Sequence, residues 1–157
     1  IGDVLCVVTT EGLCWLDFFD TALSQSLYKN IEDQTGIASR GANIQSLDTS
    51  IEAIQRYFLG SPLKAQNIVL QGTSFQKMVW HVIASIPWGQ TLTYKDIAQK
   101  IGNPRAYRAV APACSQNPLC LYIPCHRVVA SGGGLGGYRG AVQRKRWLLD
   151  HERHHLP

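Results

Sequence analysis

The chain has 157 residues, of which 45% are hydrophobic, and a formal net charge of +4 at pH 7. This length fits one compact domain or two small ones, and the high apolar fraction with low net charge excludes a disordered protein. No apolar run approaches the ~20 residues of a membrane span, and no secretory signal is recognisable, so we expect no association with a membrane.

The charge is distributed unevenly between the two halves of the chain. Residues 1–72 carry four basic and eight acidic side chains, a net charge of −4, whereas residues 73–157 carry eleven basic and three acidic ones, a net charge of +8. This segregation favours a polyanion as the partner of the second half, with nucleic acid as the first possibility. The alternative is an uneven but solvated surface.

The cysteines indicate the redox environment. There are five, an odd number, and no CxxC pair occurs; they stand at positions 6, 14, 114, 120 and 125. This usage favours a reducing, cytoplasmic environment over a disulfide framework. A metal site built from Cys6, Cys14 and the histidines would lack a recognisable ligand spacing, so we expect no metal.

The first half predicts a hairpin followed by two helices. Apolar runs at 4–8 and 13–19 flank a turn at Glu11-Gly12 and predict two buried strands. Residues 20–34 are predicted to be helical and residues 35–48 to form a loop. A capping box of Thr49 and Glu52 predicts a second helix, which Gly60 and Pro62 end. Its predicted apolar face consists of Ile51, Ile54, Phe58 and Leu59.

An extended piece at 67–70 follows, and there the charge changes sign. We therefore place a domain boundary near Gly72, with an N-terminal domain at 1–72 and a C-terminal domain at 73–157.

The second half predicts three helices in close succession. Thr73 caps the first, whose predicted apolar face is Phe75, Met78, Val79, Val82, Ile83 and Ile86. Thr93 with Asp96 caps the second. A turn at Gly102-Asn103 and a proline at 104 lead into the third, which presents Arg105 and Arg108 on one face and which Pro112 should bend. Two short helices joined by a glycine turn, the second basic, have the form of a helix-turn-helix, although many antiparallel helix pairs look alike.

The chemistry is concentrated at Pro124-Cys125-His126-Arg127, after a predicted strand at 119–123. A cysteine beside a histidine is a candidate nucleophile, but a thiol of pKa ~8.5 needs a base or a cationic neighbour. Adjacent side chains of an extended chain point to opposite faces, so a sharp bend or a bridging water must connect Cys125 to His126. Glu152 is the carboxylate expected to fold back and orient the imidazole. The alternative, an inert buried thiol, fits Cys114 and Cys120 better.

These residues also resemble a known family. Asn117-Pro118 and the segment 123–129, Ile-Pro-Cys-His-Arg-Val-Val, resemble the active-site signature of the O6-alkylguanine-DNA alkyltransferases. The resemblance covers residues 73–153 strongly, whereas residues 1–72 are similar to the family's variable N-terminal domain only in size and order of elements. It implies an α+β fold, with a small RNase H-like α/β domain followed by a helical, winged-helix-like DNA-binding domain that contains the helix-turn-helix.

The resemblance implies a DNA repair function. A monomer without a cofactor would bind double-stranded DNA and flip out O6-alkylguanine, and also O4-alkylthymine. It would transfer the alkyl group irreversibly, once per molecule, to Cys125. His126 would be the base, acting through a water, and Glu152 would complete the relay. Asn117 would tie the recognition helix to the active-site strand, and Tyr94 would donate a hydrogen bond to the leaving guanine.

The resemblance also implies residues for DNA and for the base. Arg108 would enter the duplex as a finger in place of the flipped base. Further DNA contacts are expected from Tyr94, Lys95, Asn103, Arg105 and Ser131. The loop from residue 131 to residue 139 would form the pocket of the alkylated base, with Gly137, Tyr138, the main-chain N–H of Arg139 and also Val128. Tyr107 and Pro112 depart from the small residues that are usual in the recognition helix.

Three other functions are compatible with parts of the sequence. A non-catalytic relative that senses alkylated DNA would have the helix-turn-helix, but such relatives lack the cysteine. A cysteine hydrolase would use Cys125 through an acyl intermediate. For a plain helix-turn-helix regulator, the Pro-Cys-His-Arg segment would be idle.

Overall fold

The computed structural model describes residues 1–35, 44–63 and 66–156. Strands β1 (Val4–Thr9) and β2 (Gly12–Phe18) form an antiparallel hairpin, which confirms the two predicted strands. Gly12 has a positive φ of +144°, and a Cβ there would lie 2.5 Å from the carbonyl oxygen of Asn67. Glycine permits this close approach, which lets residues 67–69 pair with Leu13 along the hairpin.

Two helices cross the N-terminal half. Helix α1 (Ala22–Thr35) confirms the helix predicted at 20–34. Most of the predicted loop at 35–48 lies outside the described residues, but helix α2 (Ile44–Phe58) begins earlier than predicted. Residues 44–48 are therefore helical, and Thr49 lies inside the helix. The predicted capping box of Thr49 is wrong.

The buried face of α2 also differs in part from the predicted one. Leu59 lies beyond the end of the helix and is 80% exposed, and Ile51 is 42% exposed, whereas Tyr57 is fully buried. The prediction holds for Ile54 and Phe58, which pack against the core beside the fully buried Tyr57, because this side of α2 faces the rest of the fold.

The second half contains the three predicted helices, α3 (Ser74–Ala84), α4 (Tyr94–Lys100) and α5 (Tyr107–Ser115). Thr73 and Thr93 form complete capping boxes, as predicted. On α3 the prediction for Met78 is wrong, because this side chain is 49% exposed while Val79 and Ile83 are buried. Gly102 turns the chain with φ +75°, and a 3₁₀ turn (Pro104–Ala106) leads into α5.

The segment 119–123 is not a strand. Leu119 makes one bridge to Leu16, after which the amide of Ile123 donates to the carbonyl of Leu119 at 2.8 Å, and Leu121 has φ +70°. The chain turns back on itself here and enters a second 3₁₀ turn, Cys125–Arg127. This is the sharp bend that the sequence required. Strands β3 (Leu92–Thr93) and β4 (Val128–Val129) then form a short parallel pair.

Helix α6 (Val142–His154) is the last element of the described chain. Both His151 and Glu152, near its C-terminal end, are buried. One buried hydrophobic cluster joins side chains from both sides of Gly72 in an α+β arrangement; it includes Leu13, Leu16, Phe18, Tyr57, Val79, Ile83, Val110, Leu119, Ile123 and Leu148. Within the described ranges, every helix is too short or too polar to span a membrane.

Candidate active site

A cavity of about 410 Å³ lies between the hairpin, helix α5 and residues 131–138, which we call the glycine-rich loop. Five predicted site residues line it together, namely Tyr94, Cys125, Gly137, Tyr138 and Arg139. The thiols of Cys114 and Cys120 line it as well, as does Asp17 from the hairpin. The volume lies within the usual range for small-molecule sites, and the walls combine aromatic rings, glycines and sulfur.

Cys125 is the first residue of the second 3₁₀ turn and is partly exposed. The side-chain amide of Asn117 donates to its Sγ at 3.2 Å and to the carbonyl of Ile123 at 2.7 Å, and its Oδ1 accepts from the amide of Leu119 at 2.9 Å. Asn117 lies two residues after the end of α5, and its side chain thus links both ends of the turning segment 119–123 to Cys125. Burial raises the pKa of Cys125, although the hydrogen bond from Asn117 opposes this shift. The resting group is therefore a thiol that needs a base.

His126 is fully buried, and its Nε2 lies 2.7 Å from Oε1 of Glu152. A carboxylate only accepts hydrogen bonds, so this contact assigns the proton to Nε2 and leaves a lone pair on Nδ1. Among the described residues Nδ1 has no hydrogen-bond partner. Burial lowers the pKa of His126, and the hydrogen bond to Glu152 opposes that shift. At neutral pH the imidazole is neutral, with Nδ1 able to accept a proton.

Glu152 is surrounded by donors from three parts of the fold. Arg127 donates from Nε to Oε2 at 2.8 Å and from Nη2 to Oε1 at 2.9 Å, and the amide of Gly89 donates to Oε2 at 3.2 Å. The hydroxyl of Tyr57 donates to Oε1 at 2.8 Å. Burial alone would raise the pKa of Glu152, but the hydrogen bonds from His126 and Arg127 outweigh it and hold that pKa well below its usual range. The carboxylate stays charged.

Arg139 reaches from the cavity wall to the hairpin. Its Nη2 donates to Oδ2 of Asp17 at 2.5 Å and to the carbonyl of Asn117 at 2.8 Å, and its Nη1 donates to the carbonyl of Ser115 at 2.5 Å. Asp17 is 2% exposed and also accepts from the hydroxyl of Thr21 at 3.0 Å. The guanidinium is therefore held against the protein, away from the centre of the cavity.

Val128, which the resemblance assigns to the pocket, pairs with Leu92 and is fully buried. It is not among the residues that line this cavity, so its part in the pocket stays a prediction. Its carbonyl accepts from Nζ of Lys145 at 2.5 Å, and the same ammonium lies 3.3 Å from the carbonyl of Gly137. Lys145 thus connects the glycine-rich loop to β4.

The residues predicted to contact DNA lie at the surface. Lys95, Asn103, Arg105, Arg108 and Ser131 are all exposed, and none of them lines the cavity. The guanidinium carbon of Arg108 lies 5.7 Å from the centre of the Tyr107 ring. These positions on α4, the turn, α5 and the glycine-rich loop leave the side chains available to a partner.

Sequence reasoning did not identify four polar residues that complete the site. Two of them had a local signal, because Asp17 and Arg127 are charges within apolar runs and therefore need buried partners. Tyr57 and Lys145 had none, since each stands in an ordinary helical pattern.

Comparisons with known proteins identify what this site resembles. The family model described as the DNA-binding domain of 6-O-methylguanine DNA methyltransferase matches residues 74–154. A methylated-DNA–protein-cysteine methyltransferase of Methanosarcina barkeri is 39% identical over 158 residues, which covers 99% of this chain and 94% of that protein. A probable methylated-DNA–protein-cysteine methyltransferase of Acanthamoeba polyphaga mimivirus is 45% identical over 114 residues, 71% of this chain and 76% of that protein.

A solved structure extends the similarity to the fold. The crystal structure of Mycobacterium tuberculosis OGT in complex with DNA has a TM-score of 0.83 and 30% sequence identity, and the match covers 100% of this chain and 92% of that one. The similarity therefore includes the N-terminal half as well as the cavity.

Proposed function

Because this chain belongs to the 6-O-methylguanine DNA methyltransferase family, it repairs DNA by transferring an alkyl group to a protein cysteine, and we propose that the acceptor is Cys125. The observation that carries this assignment is that Cys125, whose Sγ accepts from Asn117, is followed in the same 3₁₀ turn by His126, whose Nε2 is held by Glu152. Cys114 and Cys120 line the same cavity but are more deeply buried, and burial raises the pKa of both thiols strongly.

The first step of the reaction is removal of the thiol proton. Nδ1 of His126 accepts it through a bridging water, and the imidazolium that forms is stabilised by Glu152, to which Nε2 already donates. The side-chain amide of Asn117 stabilises the developing thiolate. Arg127 keeps Glu152 charged and oriented, so that the imidazole cannot rotate away.

The second step is a single displacement at carbon. The thiolate of Cys125 attacks the alkyl carbon on O6 of guanine, the S–C bond forms, and the C–O6 bond breaks. The electron pair of that bond passes into the guanine, which takes a proton from solvent and leaves as a neutral base, while the imidazolium of His126 returns its proton to solvent. Tyr94 supports this departure with a hydrogen bond; its pKa is raised by burial, so the hydroxyl remains a donor at neutral pH. The thioether product has no leaving group for water or His126 to displace, so each molecule reacts once.

The position of Cys125 in a cavity supports extrusion of the base from the duplex. A guanine within a stacked helix cannot bring its O6 to a thiol recessed in a protein cavity, and extrusion costs a few kcal/mol. We assign α4 and α5 as a helix-turn-helix, with Arg108 filling the gap in the stack and Lys95, Asn103, Arg105 and Ser131 contacting the backbone. O4-alkylthymine presents the same O-alkyl group and is a second substrate of this proposal.

The finer classification of the fold belongs to the same proposal. We describe residues 1–72 as an RNase H-like domain and residues 73–157 as a winged-helix-like domain. Each chain carries a complete cavity and relay, so the protein acts as a monomer. It acts where the cell keeps its DNA, in the cytoplasm of a prokaryote or the nucleus of a eukaryote.

Intact mass spectrometry after incubation with excess DNA containing O6-methylguanine tests the acceptor. We expect the mass to increase by one methyl group, located on Cys125 by peptide mapping, with no further turnover. Cys125→Ser should bind the DNA without gaining mass, whereas Cys114→Ser and Cys120→Ser, changed at thiols of the same cavity, should react as the wild type does.

Other outcomes would identify the alternative functions. Binding without any mass increase would indicate a sensor of alkylated DNA. Repeated turnover would indicate a hydrolase, and methylation of Cys114 or Cys120 would refute the assignment of Cys125.

A further inference from the structure

Tyr57 belongs to the N-terminal helix α2, yet its hydroxyl ends at the centre of the relay. The side chain is fully buried, and its ring packs between Phe58, Trp88 and His151, with ring centroids 5.2 Å from Trp88 and 5.6 Å from His151. Its main-chain carbonyl accepts from Nε2 of His151 at 2.7 Å. Both ends of the residue are thus held in place, so the direction of the hydroxyl is fixed by packing.

The hydroxyl has two neighbours in the relay at unequal distances. It lies 2.8 Å from Oε1 of Glu152 and 3.4 Å from Nε2 of His126. The first is an ordinary O–H···O⁻ distance, whereas the second is at the limit of a hydrogen bond. The hydroxyl therefore donates its hydrogen bond to Glu152. Burial and the neighbouring carboxylate raise the pKa of Tyr57, so the group remains a donor throughout the pH range of interest.

The position of Glu152 does not depend on this contact. Arg127 binds both carboxylate oxygens, and the amide of Gly89 adds a third bond, so the carboxylate is held without Tyr57. What Tyr57 adds is a further donor on Oε1, the oxygen that faces His126. A hydrogen bond donated to Oε1 reduces the negative charge on that oxygen, so Glu152 stabilises the imidazolium form of His126 less strongly.

We propose that the hydroxyl of Tyr57 tunes Glu152 so that His126 rests as a neutral imidazole, ready to accept the proton of Cys125. Tyr57 is thus a positioning residue that acts through Glu152, and the inference rests on the proposed role of Cys125 and His126. The other charged groups that face the pair are the guanidinium of Arg127 from the 3₁₀ turn and the ammonium of Lys145 from α6, both of which also disfavour imidazolium. Helix α2 thereby gains a part in the chemistry of the C-terminal half.

Tyr57→Phe removes the hydroxyl and keeps the ring. We expect the pKa of His126 to rise by about 0.5 to 1 unit, because Glu152 keeps its charge but loses a donor. A protonated His126 cannot act as a base, so the acidic limb of the rate profile should move to higher pH by the same amount. At pH values below the pKa of His126, transfer should be about threefold to tenfold slower, with little change at neutral and alkaline pH.

The measurement combines histidine titration by NMR with single-turnover transfer from O6-benzylguanine to Cys125 as a function of pH. His126→Gln assigns the resonances of His126. The matched control is Tyr122→Phe, which removes another buried hydroxyl, one that makes no hydrogen bond within the described residues. It should leave both the titration and the rate profile unchanged.

A second variant reverses the expected sign. Incorporation of 3-fluorotyrosine at position 57 makes the hydroxyl a stronger donor with almost no change in shape, so the pKa of His126 and the acidic limb should both move to lower pH. A purely structural role for Tyr57 would change stability and leave both unshifted. An unchanged or lowered pKa in Tyr57→Phe, an unchanged or raised one with fluorotyrosine, or an equal shift in Tyr122→Phe would overturn the inference. Failure of the wild type to alkylate Cys125 would instead overturn the proposed function.

Discussion

At the scale of single residues, the site depends on one buried carboxylate with several donors. Glu152 accepts from His126, Arg127, Tyr57 and the amide of Gly89. A buried charge is stable only when it is paired and its oxygens are hydrogen-bonded, and both conditions are met here. The same contacts keep the charge on Glu152 at neutral pH, which is what makes His126 an effective base.

Replacing Glu152 by glutamine tests this dependence. In Glu152→Gln the imidazolium of His126 loses its counter-ion, so the imidazole becomes a weaker base and transfer at neutral pH should be about tenfold to a hundredfold slower. Burial raises the pKa of the Cys125 thiol above its ordinary value, so the thiol ionises by itself only in alkaline solution. The remaining activity should therefore increase with pH beyond that value, which shifts the pH dependence upward.

Stopped-flow transfer from O6-benzylguanine as a function of pH measures this shift, and binding of methylated DNA serves as the control that should not change. A pH profile identical to that of the wild type would show that Glu152 does not orient His126.

At the scale of elements, the residues proposed to contact DNA lie apart from those proposed for the chemistry. Val110 and Ala113 of α5 are buried in the core, while Arg105 in the preceding 3₁₀ turn and Arg108 in the first turn of α5 are exposed and lie outside the cavity. Pro112 stands inside α5, so its missing N–H removes one helical hydrogen bond. The bend expected there stays a prediction.

Arg108→Ala distinguishes extrusion of the base from alkyl transfer. If Arg108 fills the gap in the base stack, its removal should slow repair of O6-methylguanine in duplex DNA by roughly tenfold to a hundredfold, a loss of ~1–3 kcal/mol. Free O6-benzylguanine needs no extrusion, so its reaction should be nearly unchanged. Tyr94→Phe should slow both reactions, since both need its hydrogen bond.

Arg105→Ala is the matched control, because it removes a second exposed arginine three residues away. It should mainly weaken DNA binding and reduce the salt dependence of that binding. Equal slowing of the duplex and free-base reactions by Arg108→Ala would show that Arg108 is not the finger.

At the scale of the whole molecule, the two sides of the predicted boundary near Gly72 are connected by buried polar contacts. Asp17 of the hairpin pairs with Arg139 beside the glycine-rich loop, and the exposed fractions of the two side chains are 3% and 16%. Tyr57 of α2 meets Glu152 of α6. The boundary itself stays a prediction, but the cavity takes residues from both sides of it.

Arg139→Ala tests how much this connection stabilises the protein. It removes the charged partner of the buried carboxylate of Asp17 and leaves it with neutral donors such as the hydroxyl of Thr21, so we expect the free energy of unfolding in urea to fall by about 3 kcal/mol. Arg56→Ala removes an exposed pair with Glu52 and should change the free energy of unfolding by less than about 1 kcal/mol.

The double variant Asp17→Ala with Arg139→Ala should lose less stability than the sum of the single variants, because no buried charge is then left unpaired. Similar losses for Arg139→Ala and Arg56→Ala would contradict a stabilising role of the contact between the hairpin and the loop.

The sequence by itself determined the features that depend on neighbouring residues. The hairpin around Gly12 and the capping boxes of Thr73 and Thr93 are local, and the structure confirms them. The family was also recognisable, because the signature from Asn117 to Val129 is nearly continuous in the chain. Such features are specified by turn geometry, capping hydrogen bonds and short motifs, which a linear reading can find.

Tertiary structure alone decided which distant groups complete the site. Tyr57 meets Glu152 across 95 positions of the chain, and Asp17 meets Arg139 across 122. Local periodicity placed Ile51 and Leu59 on the buried face of α2 and missed Tyr57, because which side chains are buried depends on how the helix packs in the fold and not on the helix itself. Contacts of this kind follow from the packing of whole elements around one core, and packing joins residues whose separation in the sequence carries no information about their distance in space.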